Sequence, residues 1–491
     1  MIPYFNHPAR LALVVVALGT TAVAIAAIGN SDDSKGISPQ DTPADTALIK
    51  RGAYLARAGD CMACHTREDA SEDYGGGRPI DSPFGAIYAT NITPDPKAGI
   101  GDYGEQDFAA ALRQGIRADG SYLYPAMPYP AYASLNDDDV HALYVYFMQG
   151  VVPVAKPAPE TSLSFPFNQR WGIRAWNWLF ADEAPYTSLE QTTGTISPER
   201  HAQLDRGRYL VQGAGHCGSC HTPRGMFMQE KALNDQDGDD YLAGSELDGW
   251  QVPSLRGGDG SGLRNWKEQD LVDYLATGRS RHAATGGEMR SVIQHSTSHL
   301  NDEDLYSIAA YLTTLGASDK ASHASGDVPA SQATSDSKSS SARDATTHQL
   351  TAAISLDEGA RLYLDNCNAC HFANGAGADS VFPPLVGNAQ ATADNPKALI
   401  STMLYGAQLP STPKRPERLQ MPGFDWRLTD DEAASLASFV RQSWGNQASA
   451  VSPEQVAEVR RNHGPVDATQ QGRPEYLRQH APIPSSTPSS N

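Results

Sequence analysis

Not one of the six cysteines in this 491-residue chain is left unpaired, and that economy excludes much at once. There is no odd thiol for a lone nucleophile or an intermolecular disulfide. Positive charge is also short: 38 Lys and Arg face 57 Asp and Glu, a net charge of −19, which argues against nucleic acid or anionic lipid as the main partner. No G-x-G-x-x-G, no Walker-type loop and no nucleophile elbow occurs. Only 8% of residues are aromatic, and they are nowhere interleaved with a basic patch.

What is present is specific. The cysteines fall in three pairs, each followed at once by histidine: Cys61-Met-Ala-Cys-His65, Cys217-Gly-Ser-Cys-His221 and Cys367-Asn-Ala-Cys-His371. Cys61 and Cys64, Cys217 and Cys220, and Cys367 and Cys370 can each add two thiols to the vinyl groups of a haem, while His65, His221 or His371 reaches the iron from the same turn. A single such motif could serve zinc or a disulfide. Three, with no cysteine over, predict three covalently bound haem c groups.

The motifs recur within similar surroundings. Their first cysteines are 156 and 150 residues apart (217 − 61 and 367 − 217). Before each comes a glycine-containing segment: Arg51-Gly-Ala-Tyr-Leu55, Arg206-Gly-Arg-Tyr-Leu210 and Gly359-Ala-Arg-Leu-Tyr-Leu364. These predict a helix whose glycine admits a second helix. The second helix closes each repeat, capped at Asn136, Asn301 or Thr429 with an acid three residues on, and Thr429 with Glu432 fits a capping box. The fold class expected is mainly α: three tandem class I cytochrome c-like domains at 45–150, 201–316 and 351–446. Residues 151–200 read as an aromatic, Pro-rich linker, either filling the seam between domains or offering a docking face. Residues 317–350 read as a flexible Ser-rich linker and 447–491 as a polar tail.

Residues 1–30 contain the uncharged run 11–28, long for a signal-peptide core and short for a spanning helix. A removed signal and a retained anchor are both open. Either places the rest of the chain on the periplasmic side of the bacterial inner membrane.

The far side of each iron decides the chemistry, because a methionine there gives electron transfer and an open side gives ligand binding or peroxide chemistry. Met127, Met289 and Met421 are the candidates, each in a loop between a haem motif and a closing helix. Met148 and Met403 sit in helical segments and read as core, and Met226 and Met228 lie too close to His221. Histidine is the rival ligand; His282, His295 and His299 are explained more cheaply by surface or structural roles. The proximal histidines should donate their second ring N–H to a backbone carbonyl, near Pro384, near Pro253, and in Ala89-Thr-Asn-Ile-Thr-Pro94.

Longer stretches carry a resemblance. Gly52-Ala-Tyr-Leu-Ala-Arg-Ala-Gly-Asp-Cys-Met-Ala-Cys-His-Thr66, Thr90-Asn-Ile-Thr-Pro-Asp95, Leu123-Tyr-Pro-Ala-Met-Pro128, Gly215-His-Cys-Gly-Ser-Cys-His-Thr-Pro-Arg-Gly225 and Met421-Pro-Gly-Phe-Asp-Trp426 are similar to the three-haem cytochrome c subunit of bacterial membrane-bound periplasmic dehydrogenases acting on alcohol, gluconate, fructose or aldehyde. The resemblance implies a non-catalytic electron-transfer subunit bound to a catalytic subunit of quinone, flavin or molybdenum type and to a small subunit. It implies electrons passing to membrane ubiquinone, with Met127, Met289 and Met421 at the axial positions. The anchor-like N-terminal run tilts the partner toward a molybdenum aldehyde dehydrogenase.

Overall fold

The computed structural model describes residues 46–67, 72–181, 186–189, 196–247, 250–257, 262–263, 265–316 and 336–463. The run at 11–28, residues 317–335 and the end of the tail lie outside them. Among the described residues helix dominates, and each of the three sheets contains two short antiparallel strands. Two compact units emerge: one takes the chain up to Thr192 with Tyr209–Ser219 and Arg224–Leu233, the other takes the rest.

In the first unit run α1 (Thr46–Ala58), α2 (Cys61–His65), the hairpin β1 (Pro79–Ile80) and β2 (Ile87–Tyr88), α3 (Glu105–Gln114), α4 (Tyr129–Tyr132), α5 (Asp137–Val145) and α6 (Trp171–Phe180). Gly52, Leu55 and Ala56 lie at helical spacing on the buried face of α1. A Cβ at Gly52 would overlap the Ala142 carbonyl of α5, so only glycine permits this approach. Asn136 caps α5 by accepting from the Asp139 amide at 2.8 Å. Asp139 is buried, but its charge is matched: Arg51 reaches one oxygen at 2.6 Å and the Tyr209 hydroxyl donates to the other at 2.6 Å.

The second unit repeats this joint twice. Its elements are α7 (Pro198–Tyr209, all but its last residue), α8 (Gly218–His221, within which the chain crosses from one unit to the other), β3 (Ser245–Leu247), β4 (Trp250–Val252), α9 (Glu268–Thr277), α10 (Met289–His295) and α11 (Asp302–Thr314). Then come α12 (Asp336–Ala352), α13 (Glu358–Asn366), α14 (Asn368–His371), α15 (Ala389–Thr392), α16 (Lys397–Tyr405), β5 (Ala407–Gln408), β6 (Gln420–Met421), α17 (Asp430–Gln442) and α18 (Pro453–His463). Gly207 of α7 faces the Ser307 carbonyl of α11 as Gly52 faces Ala142, and Arg206 pairs with the buried Asp304 through two bonds of 2.7 and 2.8 Å. In the third joint a Cβ at Gly359 would lie 2.6 Å from the Ser435 carbonyl of α17. Here Glu358 stands where the arginine was, and its carboxylate accepts from the Ser435 hydroxyl at 2.7 Å. Thr429 and Glu432 form the expected capping box.

Each joint places its crossing carbonyl six residues after the cap and an aromatic ring ten after it: Tyr146, Tyr311 and Phe439. The caps are therefore part of the repeat. Asn301→Ala should cost about 1 kcal/mol, seen as roughly fivefold faster hydrogen exchange at the Asp304 amide.

Two linker readings need correction. Residues 336–350 of the Ser-rich stretch belong to the helix α12; Leu350 is 3% exposed within the third repeat's core, and Thr346 accepts from the Trp444 amide at 3.2 Å. Residues of low apolar content become helical there because one leucine and one hydroxyl dock. Similarly the tail begins with α18, whose Val456 and Val459 join the same core while Arg460 binds Asp430 and the carbonyls of Asp425 and Leu428. The helix of the second repeat starts at Pro198, ahead of the boundary expected at 201.

Candidate haem-attachment sites

In each motif the pair of cysteines is unbridged and the histidine ends a single turn of helix. Burial, then the neighbouring Asp60 and Cys64 charges, push the Cys61 thiol up to about 12, and burial with Cys370 pushes Cys367 to about 12. Burial is thus the main cause that keeps both thiols protonated.

The histidines share a repeated geometry. His65 Nδ1 donates to the Thr90 carbonyl at 2.6 Å, His221 Nδ1 to Pro253 at 2.8 Å and His371 Nδ1 to Pro383 at 3.0 Å. This fixes the tautomer and leaves Nε2 with its lone pair free for iron. Burial lowers all three imidazoles below their usual value, His221 to about 4, so each stays neutral and able to ligate. All three carbonyls belong to the segments expected. The third is offered by Pro383, one residue before Pro384, because the peptide group that lacks an N–H at Pro384 carries its oxygen on the preceding residue. The residues present fit haem c.

A second repeated bond has no counterpart among the sequence expectations. The carbonyl of each of these histidines accepts from a glycine amide: Gly76 to His65 at 2.7 Å, Gly244 to His221 at 2.7 Å and Gly377 to His371 at 3.2 Å. All three glycines have positive φ (71°, 91° and 61°). They stand at different distances from their motifs in a chain with 43 glycines, so spacing could not single them out.

The methionines divide as follows. Met127 is half-buried in the turn before α4, its amide donating to Tyr124 at 3.2 Å and its carbonyl accepting from Tyr129 at 2.9 Å. Met421 lies in β6 opposite Ala407 and packs against the third repeat's core. Met289, expected in a loop, is the first residue of α10, since Gly286-Gly287 ends the irregular stretch and a helix-compatible segment follows. Met148 and Met403 are 8% and 3% exposed and belong to the core, as expected. The histidine rivals have local partners: His282 stacks on Trp266 at 5.0 Å and His299 meets the Gln294 carbonyl at 3.0 Å.

Within the first unit one side chain touches two attachment segments. Tyr132 donates to the Gly59 carbonyl at 2.7 Å, two residues before Cys61, and its ring meets His216, next to Cys217, edge-on at 5.5 Å.

This arrangement of Cys-x-x-Cys-His turns and carbonyl-anchored histidines defines a cytochrome c, and the Cytochrome c family matches residues 204–316 and 356–444. More particularly, the chain belongs to the family of cytochrome c subunits of dehydrogenases. It is 42% identical over 426 residues to the cytochrome c subunit of alcohol dehydrogenase (quinone) from Gluconobacter oxydans (strain 621H), covering 86% of this chain and 84% of that one. It is 42% identical to the gluconate 2-dehydrogenase cytochrome c subunit of Pantoea cypripedii (86% and 91% covered), and 38% identical to the fructose dehydrogenase cytochrome subunit of Gluconobacter japonicus (90% and 88% covered).

Proposed function

We propose that this chain is the electron-transfer subunit of a membrane-associated dehydrogenase complex on the periplasmic side of the bacterial inner membrane. It takes electrons from a catalytic subunit that oxidises an alcohol, aldehyde or sugar and relays them to ubiquinone. The three repeats, expected at 45–150, 201–316 and 351–446 and extended by the start of α7 at Pro198, by α12 and by α18, each hold one covalent haem c: Cys61, Cys64, His65 and Met127; Cys217, Cys220, His221 and Met289; Cys367, Cys370, His371 and Met421. Bound haem supplies reversible one-electron exchange at iron.

The rest is the work of the polypeptide. Thr90, Pro253 and Pro383 orient the imidazoles, burial keeps them neutral, and the glycine joints hold each helix pair closed around its motif. The observation that carries the reading is the threefold repetition of cysteine pair, carbonyl-anchored histidine and glycine joint. The contact of Tyr132 with both Gly59 and His216 supports a relay, since electron exchange falls steeply with separation.

Purified chain should carry three haems by mass, and its reduced form should leave carbon monoxide unbound. Carbon monoxide uptake by a large share of the haem would favour a peroxidase-like site instead. Affinity purification from membranes should recover a large dehydrogenase subunit; a chain recovered alone would favour a free shuttle.

A further inference from the structure

The first unit exposes an unusual face. On α6, Trp171, Arg174, Ala175 and Trp178 point to solvent at one helical spacing, with Trp171 76% and Trp178 43% exposed. The opposite stripe holds the helix down: Ile173 is buried, the Tyr129 hydroxyl donates to Asn177 at 2.6 Å, and Trp176 Nε1 donates to the Phe227 carbonyl at 2.9 Å. That last bond, with the Phe180 and Phe227 rings 5.8 Å apart, sets the Met226-Phe227 turn beside the helix. Met226 is 79% and Phe227 52% exposed, and Phe165, just upstream of α6, is 79% exposed.

Charge separates this face from the rest. The chain carries −19, yet residues 165–180 contain Arg170 and Arg174 and no acid, and 224–228 contain Arg224 and no acid. Arg170 is spent on the Tyr122 carbonyl and the Tyr124 ring. Arg174 is exposed between the two indoles, with no ion-pair partner among the described residues. Indoles flanking a guanidinium on one outward stripe are the composition of an interfacial helix: rings settle at the headgroup level and the cation meets phosphate. An acidic protein is repelled from an anionic leaflet over most of its surface, so it approaches only through a face like this one.

We infer that the Trp171–Arg174–Trp178 stripe, with Phe165 and the Met226-Phe227 turn, lies against the headgroup layer of an anionic bilayer. This rests on the membrane association proposed above and names the face that makes it.

The test is hydrogen exchange by mass spectrometry on the haem-loaded full chain, with and without vesicles of phosphatidylethanolamine and phosphatidylglycerol. Because the readout is local, a retained N-terminal anchor does not mask it. Amides in 165–171 and 224–228 should slow by about tenfold with vesicles. Arg174→Glu should remove most of that protection, and Trp171→Ser likewise, with haem content unchanged in both. Equal exchange with and without vesicles overturns the inference. So does protection that appears only on adding the catalytic dehydrogenase, which would make this a protein-docking face. Haem reduction by that dehydrogenase, followed separately, reports on the electron-transfer reading whichever way the exchange result falls.

Discussion

Gly207→Val is expected to abolish accumulation of fully loaded protein. The new side chain would drive into the Ser307 carbonyl, a backbone atom that cannot rotate away, and its Cβ would also sit 2.9 Å from the Cβ of Tyr311. Separating α7 from α11 would also break the two-bond pair between Arg206 and buried Asp304, leaving a carboxylate without its cation. Overpacking costs about 1–3 kcal/mol and an unpaired buried charge about 3–5 kcal/mol, against a total stability of about 5–15 kcal/mol for a domain. Haem per chain and a guanidinium unfolding curve would read the loss. Gly172→Ala is the control, because nothing lies within 4 Å of a Cβ there and the helix should gain slightly. A valine at 207 with full haem content and an unshifted midpoint would refute the close-joint account.

Met421→His should give the largest redox effect. Replacing the thioether proposed for the third iron by imidazole would lower that potential on the order of 0.1–0.3 V, inside the roughly 0.8 V that axial ligation spans. Redox titration would then separate one step from the rest, the far-red sulfur-to-iron band would lose about a third of its amplitude, and turnover of the complex with quinone should fall. Met403→Leu is the comparison. Met403 is 3% exposed inside the core, so the change should cost stability slightly and leave every potential in place. A Met421→His protein with unchanged potentials and spectrum would remove Met421 from the ligand set.

What the sequence makes legible is local and chemically obligatory. A glycine before each haem motif and an asparagine or threonine before each acidic run have few uses besides close helix contact and capping, and these residues do form the joints and caps. The Pro383 carbonyl is legible for a similar reason, since the peptide group it shares with Pro384 has no N–H and can only accept. What escapes depends on contacts between distant residues. Helix α12 has weak intrinsic preference and is held by Leu350 and Thr346; α18 is held by Val456, Val459 and Arg460. Tyr132 has no neighbours in sequence to mark it as the ring that meets two attachment segments. Met289 falls in a helix rather than a loop because a helix can start immediately after Gly286-Gly287 as easily as a loop can continue.

The bond from each motif histidine to its carbonyl spans a different length of chain: 25 residues for His65, 32 for His221 and 12 for His371. Each imidazole's orientation is therefore set at the two ends of an excursion whose length differs from repeat to repeat. In the second repeat this excursion passes through Gly238, where nothing approaches within 4 Å of a Cβ. Extra polypeptide spliced there would hang outside the redox core, giving a place to graft a surface-binding peptide and wire the complex to an electrode without retuning its metal centres.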